Sequence, residues 1–195
     1  MNRSTLDKLI SSTGLLLAVV MFAAAAGLFY TYNFVHQQVH DQLKQQKISF
    51  PAAGSKPLQA LPDQDKKAVS KYAGQEVVTG AQAKVFADNY IAVHLEGIAG
   101  GQTYSEVSAA SLANPTDTKL SGQVQTLFRG ETLRGLLLNA YAFDTMAVVA
   151  KYAATGALVA GALLLLLSGM GFKHAAVVAK PHKSPKPATK SKKSR

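Results

Sequence analysis

The sequence predicts an all-α membrane protein in which two transmembrane helices flank a mostly helical extracytoplasmic domain, followed by a disordered basic C-terminal tail. Three observations carry this. Residues 14–34 and 152–172 are two 21-residue runs without Asp, Glu, Lys or Arg. At ~1.5 Å rise per residue each makes a helix ~31 Å long, about the thickness of bilayer hydrocarbon. The segment between them carries helix starts and stops and few alternating β-branched runs. The third observation is the end of the chain: residues 173–195 hold seven Lys and Arg195 and no acid.

The first run follows Arg3 and Lys8. Ala23-Ala24-Ala25 offers an A-x-A cleavage site, but the apolar stretch continues through Gly27, Leu28, Phe29 and Phe34, too long for a signal peptide core. The reading is an uncleaved anchor, with Tyr30 and Tyr32 in an interfacial aromatic belt. The second run contains Leu163 to Leu167, five leucines that cover every side of a helix. A soluble protein rarely buries such a helix on all sides. The predicted organisation is a cytoplasmic N-terminus at 1–13, a first span at 14–35 and an extracytoplasmic domain at 36–140. A second span with its outer approach follows at 141–172, then a cytoplasmic tail at 173–195.

Orientation follows from charge. The chain has a net charge of +10, but the middle segment holds ten Lys/Arg against nine Asp/Glu. The basicity therefore belongs to the tail and implies no basic binding surface on the domain. Cations close to span ends stay cytoplasmic, and the middle segment is too long for its own cations to set topology. Both termini are expected inside a plasma membrane. Mean hydropathy is only +0.07 because the apolar runs are diluted by polar sequence. No cysteine is present, which excludes disulfides, thiolate nucleophiles and Cys-based metal or iron–sulfur sites.

Within the middle segment, Val35, Val39 and Leu43 form an i, i+4, i+8 stripe that extends the first helix to about Lys47. Pro51, Gly54, Pro57 and Pro62 predict an irregular stretch over 49–62. Asp63 or Asp65 starts a helix that is interrupted near Gly74. Thr79 is an N-cap for a helix with Val85, Phe86, Ile91 and Leu95 on its buried side. Gly100-Gly101 ends it. Thr103-Tyr104-Ser105-Glu106 is a T-x-x-E capping box, opening a short helix that stops at Asn114-Pro115. From about Lys119 a last helix runs into the second span without a breaker.

No catalytic residue is predicted. His36 and His40 lie four apart on one helix face, and with His94 they are the candidate metal ligands. The signal is weak because the Glu of H-E-x-x-H is missing, and hydrated interfacial histidines explain the same pattern. Arg129, Glu131 and Arg134 are read as an outer interface: the arginines meet headgroup phosphates and Glu131 pairs with Arg134 at i, i+3. Asp144 and Lys151 are expected in water, Lys151 snorkelling, because the 21 residues after it span the bilayer alone. Small residues at Ala23 and Gly27, and at Ala153, Ala157 and Gly161, predict strips where helices approach closely, within the chain, in self-association or against another membrane protein.

The tail cations Lys173, Lys180, Lys183, Lys186, Lys190, Lys192, Lys193 and Arg195 are spread by Pro181, Pro185 and Pro187. Adhesion to anionic lipids is the first expected use, at roughly 1 kcal/mol per cation near the leaflet. Topology alone is the second, and nucleic acid the third, since several neutralised phosphates give salt-dependent binding.

GAQAKVFADNYIAVHL (80–95), TYSEVSAASLANPTDTKLSGQ (103–123) and LFRGETLRGLLLNAYAF (127–143) resemble small two-span membrane proteins of actinobacteria. The resemblance covers roughly residues 10–170 and implies the topology and a bacterial envelope setting. Some such proteins carry the label of aromatic ring-opening dioxygenase. That label implies an iron-holding site or a metal-bearing partner, and no specific His/Glu cluster stands in this chain. The expected role is a non-enzymatic accessory or assembly partner. The alternatives are a metal-dependent oxygenase or redox accessory using His36, His40 and His94, and attachment of nucleic acid through the tail.

Overall fold

The computed structural model describes residues 3–178, which form seven α-helices and one π-helix. These are α1 (Arg3–Gln46), α2 (Lys56–Gln59), α3 (Asp63–Ser70), α4 (Gly80–Phe86), π1 (Ala87–Ile91), α5 (Ala92–Ala99), α6 (Tyr104–Ala113) and α7 (Thr118–Val178). Among the described residues there is no strand; the only extended pairing is a single antiparallel bridge between Ser49 and Glu76. The all-α class stands. α1 and α7 have 44 and 61 residues, each well beyond the ~20 that a bilayer requires. Both are long and apolar enough to cross a membrane.

The chain divides into two compact units, one made of Met1–Gly27 with Ala154–Arg195 and the other of Leu28–Ala153. These borders follow packing and are distinct in kind from the membrane borders expected at 35/36 and 140/141. The inner side of Leu28–Ala153 takes in Tyr32, Val35 and Asp144, whose partners lie in that unit, so it claims more of both long helices.

Leu28–Ala153 is built around large side chains. Val39 and Leu43 of α1, Leu58 of α2, Val69 of α3, Phe86 of α4 and Leu127 of α7 all belong to one buried cluster. Phe50 stands at its centre, tilted against Tyr72 at 5.3 Å and edge-on to Phe86 at 5.2 Å. The starts and stops have local causes. Thr79 accepts from the Gln82 amide while the Gln82 side chain bonds back to Thr79, a second capping box read from sequence only as a cap. Thr103 and Glu106 form the expected box at the start of α6. Gly100, in the left-handed conformation at φ 61°, ends α5. Asp117 accepts from the amides of Lys119 and Leu120 and so opens α7. Two features differ from expectation: α2 interrupts the stretch taken as irregular, with Pro57 in its first turn, and π1 widens the α4–α5 helix by one turn.

In the other unit α1 and α7 run antiparallel. The Ser4 hydroxyl donates to the Ala175 carbonyl, His174 bonds Asp7 at 3.0 Å, and Gly161 faces Met21 and Phe22. The buried positions recur every seven residues: Ser4, Ser11, Ala18 and Ala25 on α1, and Ala154, Gly161, Ser168 and Ala175 on α7. A strict heptad of small residues lets two helix backbones approach closely along a left-handed seam.

Of the expected small-residue strips, Gly161 is buried in this seam and Ala157 is half-buried, while Ala23, Gly27 and Ala153 lie on exposed helix faces outside it. The seam follows a seven-residue frame, which drifts only about 20° around the helix per repeat, against about 40° for each four-residue step. One expectation needs correction here. The tail was expected to begin at Lys173, but α7 continues to Val178, held by the fully buried Ala175 and by the His174–Asp7 pair. Lys173 is an exposed residue of that helix. Lys180 to Arg195 lie outside the described residues.

Candidate functional site

The most constrained polar group in Leu28–Ala153 is Asp144, only 8% exposed. α7 presents it to α1 and to the start of α4. One carboxylate oxygen accepts from His36 Nδ1 at 2.7 Å and the other from the Gly80 amide at 3.1 Å. Gly80 is required here for space, since a Cβ would collide with the Asp144 side chain. Tyr32 stacks on the His36 ring at 5.5 Å, and the Lys151 ammonium lies 5.0 Å over the Tyr32 ring. The expectation that Asp144 projects into water is therefore overturned. A buried carboxylate needs its lone pairs filled, and an imidazole and a backbone amide fill them.

Chemically, this is an imidazole whose tautomer is set by a carboxylate. Nδ1 carries the proton toward Asp144. Among the described residues no hydroxyl is hydrogen-bonded to His36. What the geometry does is join three helices at one point.

The three candidate metal ligands are not gathered. His36 is held by Asp144, His40 bonds its neighbour Asp41 at 3.1 Å, and His94 donates through Nδ1 to the Tyr90 carbonyl at 2.7 Å while packing on the Tyr90 ring. Among the described residues no group of three or more His, Asp or Glu side chains is placed to hold a metal ion.

A second cluster lies where π1 meets α7. Lys84 bonds Asp88 at 2.6 Å, and Arg134 reaches Asp88 at 3.4 Å and Glu131 at 3.3 Å. The i, i+3 pairing of Glu131 with Arg134 is as expected. Arg134, however, is turned into the protein, with its Nε buried and unpartnered, and only Arg129 and Glu131 of the trio are exposed. Burial alone would raise the Asp88 carboxyl, but the hydrogen bonds and charges of Lys84 and Arg134 outweigh it and hold it below its ordinary value. Asp88 in turn holds the Lys84 ammonium above its own. The wide turn of π1 also sends Asn89 to Asp65 of α3 at 2.7 Å. Beside this cluster Glu96, Thr103, Tyr104, Glu131 and Arg134 line an open cavity of about 380 Å³.

Sequence reasoning missed Gly80 and Tyr32 as partners of His36 and Asp144. It also missed Ser4, Ser11, Ser168 and Ala175 as seam residues, although their seven-residue spacing was present to be counted. Comparison of the chain with protein-family models, with curated proteins and with solved structures finds no match.

Proposed function

We propose that the chain is a non-enzymatic integral protein of a bacterial plasma membrane, an accessory or assembly partner of other envelope components. It crosses twice, with both termini cytoplasmic, displays residues 28–153 largely outside, and holds anionic lipid through its basic tail. One observation supports this most. The apolar windows of α1 and α7, with mean hydropathies of 2.2 and 2.0, are only 17% buried within the chain. Leu16, Leu163, Leu166 and Leu167 are each more than half exposed. Apolar surface of that extent requires a cover, and lipid is the cover that suits helices greasy on every outward side.

A non-enzymatic role draws support from the way the titratable groups are spent. Asp144, Asp88, His36, His40 and His94 are each engaged in joining helices or neighbouring residues. Co-purification of the full chain in mild detergent tests the reading. A stoichiometric envelope protein, or a defined self-assembly, is expected. A lone chain that turns over a substrate, with metal bound through His36, His40 or His94, would overturn it.

A further inference from the structure

In the unit of Met1–Gly27 with Ala154–Arg195, the seam between α1 and α7 opens near the chain ends into a cavity of about 460 Å³. The sequence makes the opening twice over. Each helix carries a serine followed three residues later by a glycine, Ser11 with Gly14 and Ser168 with Gly171. Because the helices are antiparallel, Ser168 stands over Gly14 and Ser11 over Gly171. A Cβ at either glycine would collide with the facing hydroxyl. Both serines and both glycines line the cavity.

Ser11 and Ser168 are each only 4% exposed. A helical hydroxyl commonly satisfies itself on the carbonyl four residues back, as Thr13 does on Leu9. These two do not, and neither has a hydrogen-bond partner among the described residues. A buried hydroxyl without a partner is costly, so the cavity calls for acceptor oxygens at this level. Its lining is also graded along the two helices. Nearest the chain ends is Asp7, whose Oδ2 bonds His174 Nδ1 at 3.0 Å while Oδ1 has no partner among the described residues. The serine hydroxyls come next, and Leu164 and Leu167 form the wall beyond them.

A carboxylate, then hydroxyl donors, then an apolar wall ask for an ammonium, then oxygens, then hydrocarbon. An ethanolamine phospholipid presents its ammonium, its phosphate and ester oxygens, and its acyl chains in that order. Other occupants leave part of the lining unmatched. Water serves the hydroxyls but not the leucine wall, and an acyl chain alone leaves the hydroxyls unpaired. An anionic head group sets a second negative charge beside Asp7. A choline ammonium has no N–H to give its carboxylate. The geometry points to a binding site for one ethanolamine phospholipid of the cytoplasmic leaflet, resting on the membrane placement proposed above and adding a defined lipid to it. The head-group ammonium bonds Asp7, and the phosphate or ester oxygens accept from Ser11 and Ser168.

The test uses the full chain, purified in mild detergent and stripped of lipid. It is incubated with an equimolar mixture of phosphatidylethanolamine, phosphatidylcholine and phosphatidylglycerol, and retained lipid is read by native mass spectrometry. One phosphatidylethanolamine is expected to be held in preference to the other two. Ser11→Ala with Ser168→Ala should weaken its retention about fivefold for each hydrogen bond lost. Asp7→Asn should level ethanolamine with choline, and helical circular dichroism should be unchanged in both variants. Ser12→Ala, at an exposed position, should change nothing. Equal retention of the three lipids, or a preference that survives the double serine variant, overturns the site. So does a preference for phosphatidylglycerol that disappears when residues 180–195 are removed, which assigns lipid holding to the tail. Displacement by an equal concentration of glycerophosphoethanolamine, which has no acyl chains, would make the ligand a free head group and refute the lipid. Flotation with vesicles separates the two possible failures. A chain that floats but shows no ethanolamine preference refutes the site alone; one that stays in the soluble fraction refutes the membrane placement with it.

Discussion

The two compact units bury opposite kinds of residue. Leu28–Ala153 hides Phe50, Leu58, Val69 and Leu127 and, apart from Gln82 and Asp144, leaves its amides and charges at least partly exposed. The unit of Met1–Gly27 with Ala154–Arg195 hides Ser4, Ser11, Ala18, Gly161 and Ser168 and turns its leucines and valines outward. In water, large apolar side chains gain most from burial, so they form the core. In lipid they gain nothing by it, and helices pair instead through small residues whose backbones can touch. This contrast is what the proposed membrane placement requires of one chain in two solvents, and it says which residues would matter in each.

The largest expected effect comes from moving one substitution between the units. Leu127→Ala, at a side chain 2% exposed, is expected to cost about 2–5 kcal/mol through lost burial and the cavity left behind. Leu166→Ala, 66% exposed, should stay within about 0.5 kcal/mol. Denaturant unfolding in a fixed micelle, followed by circular dichroism, measures both; similar costs would erase the contrast. Filling the seam comes next. Gly161→Leu drives a side chain into Met21 and Phe22, whose nearest carbons are 3.2 Å from where a Cβ would sit. It is expected to cost about 1–3 kcal/mol by overpacking. Gly156→Leu, with nothing within 4 Å, should be nearly silent.

Asp144→Leu should rank similarly, at about 1–3 kcal/mol, because it strands the His36 and Gly80 donors that the carboxylate satisfied. Asp144→Asn keeps one acceptor and should cost less. Faster protease cleavage near Gly80 is the accompanying readout, and unchanged cleavage would remove the residue's role as a three-helix joint.

The smallest effect is pH-dependent. Asp88 sits below its ordinary value of 3.8 and Glu106 below its ordinary 4.5, the latter through hydrogen bonds from the Thr103 backbone and hydroxyl. A depressed carboxyl stabilises the fold fully above its ordinary value and loses that contribution as pH falls through its folded value. Stability of Leu28–Ala153 should therefore be flat above pH 4.5 with respect to these two groups and decline below it. Asp88→Asn should remove about 0.2–1 kcal/mol at neutral pH, as expected of a part-exposed pair, and flatten part of the acid limb.

Local chemistry was legible in the sequence where a few adjacent residues determine the outcome. The caps at Thr79 and Thr103, the Gly100 stop and the Val39–Leu43 stripe all belong to this class. So does the passage of α7 from Thr118 through the apolar run, because no proline or glycine pair interrupts it. What was hidden depends on partners far along the chain. Asp144 looked solvent-bound because its two partners lie 108 and 64 residues away. Arg134 looked like a headgroup anchor until Asp88, 46 residues away, was found beside it. The seam within the chain was hidden for another reason: alanine and glycine are so frequent in both runs that four-residue and seven-residue frames are both present, and only the pairing of α1 with α7 selects one. π1 has no local signature at all; it follows from seating Asp88 on α7 and Asn89 on α3 at once.

The central claim is that lipid covers the outward leucines of the small-residue unit while water covers the polar face of the other. Spin labels on Leu166→Cys and Lys71→Cys, in vesicles of the full chain, test it through their collision rates with oxygen and with a water-soluble nickel chelate. The account predicts that oxygen dominates at 166 and nickel at 71. Strong nickel relaxation at position 166 would contradict it.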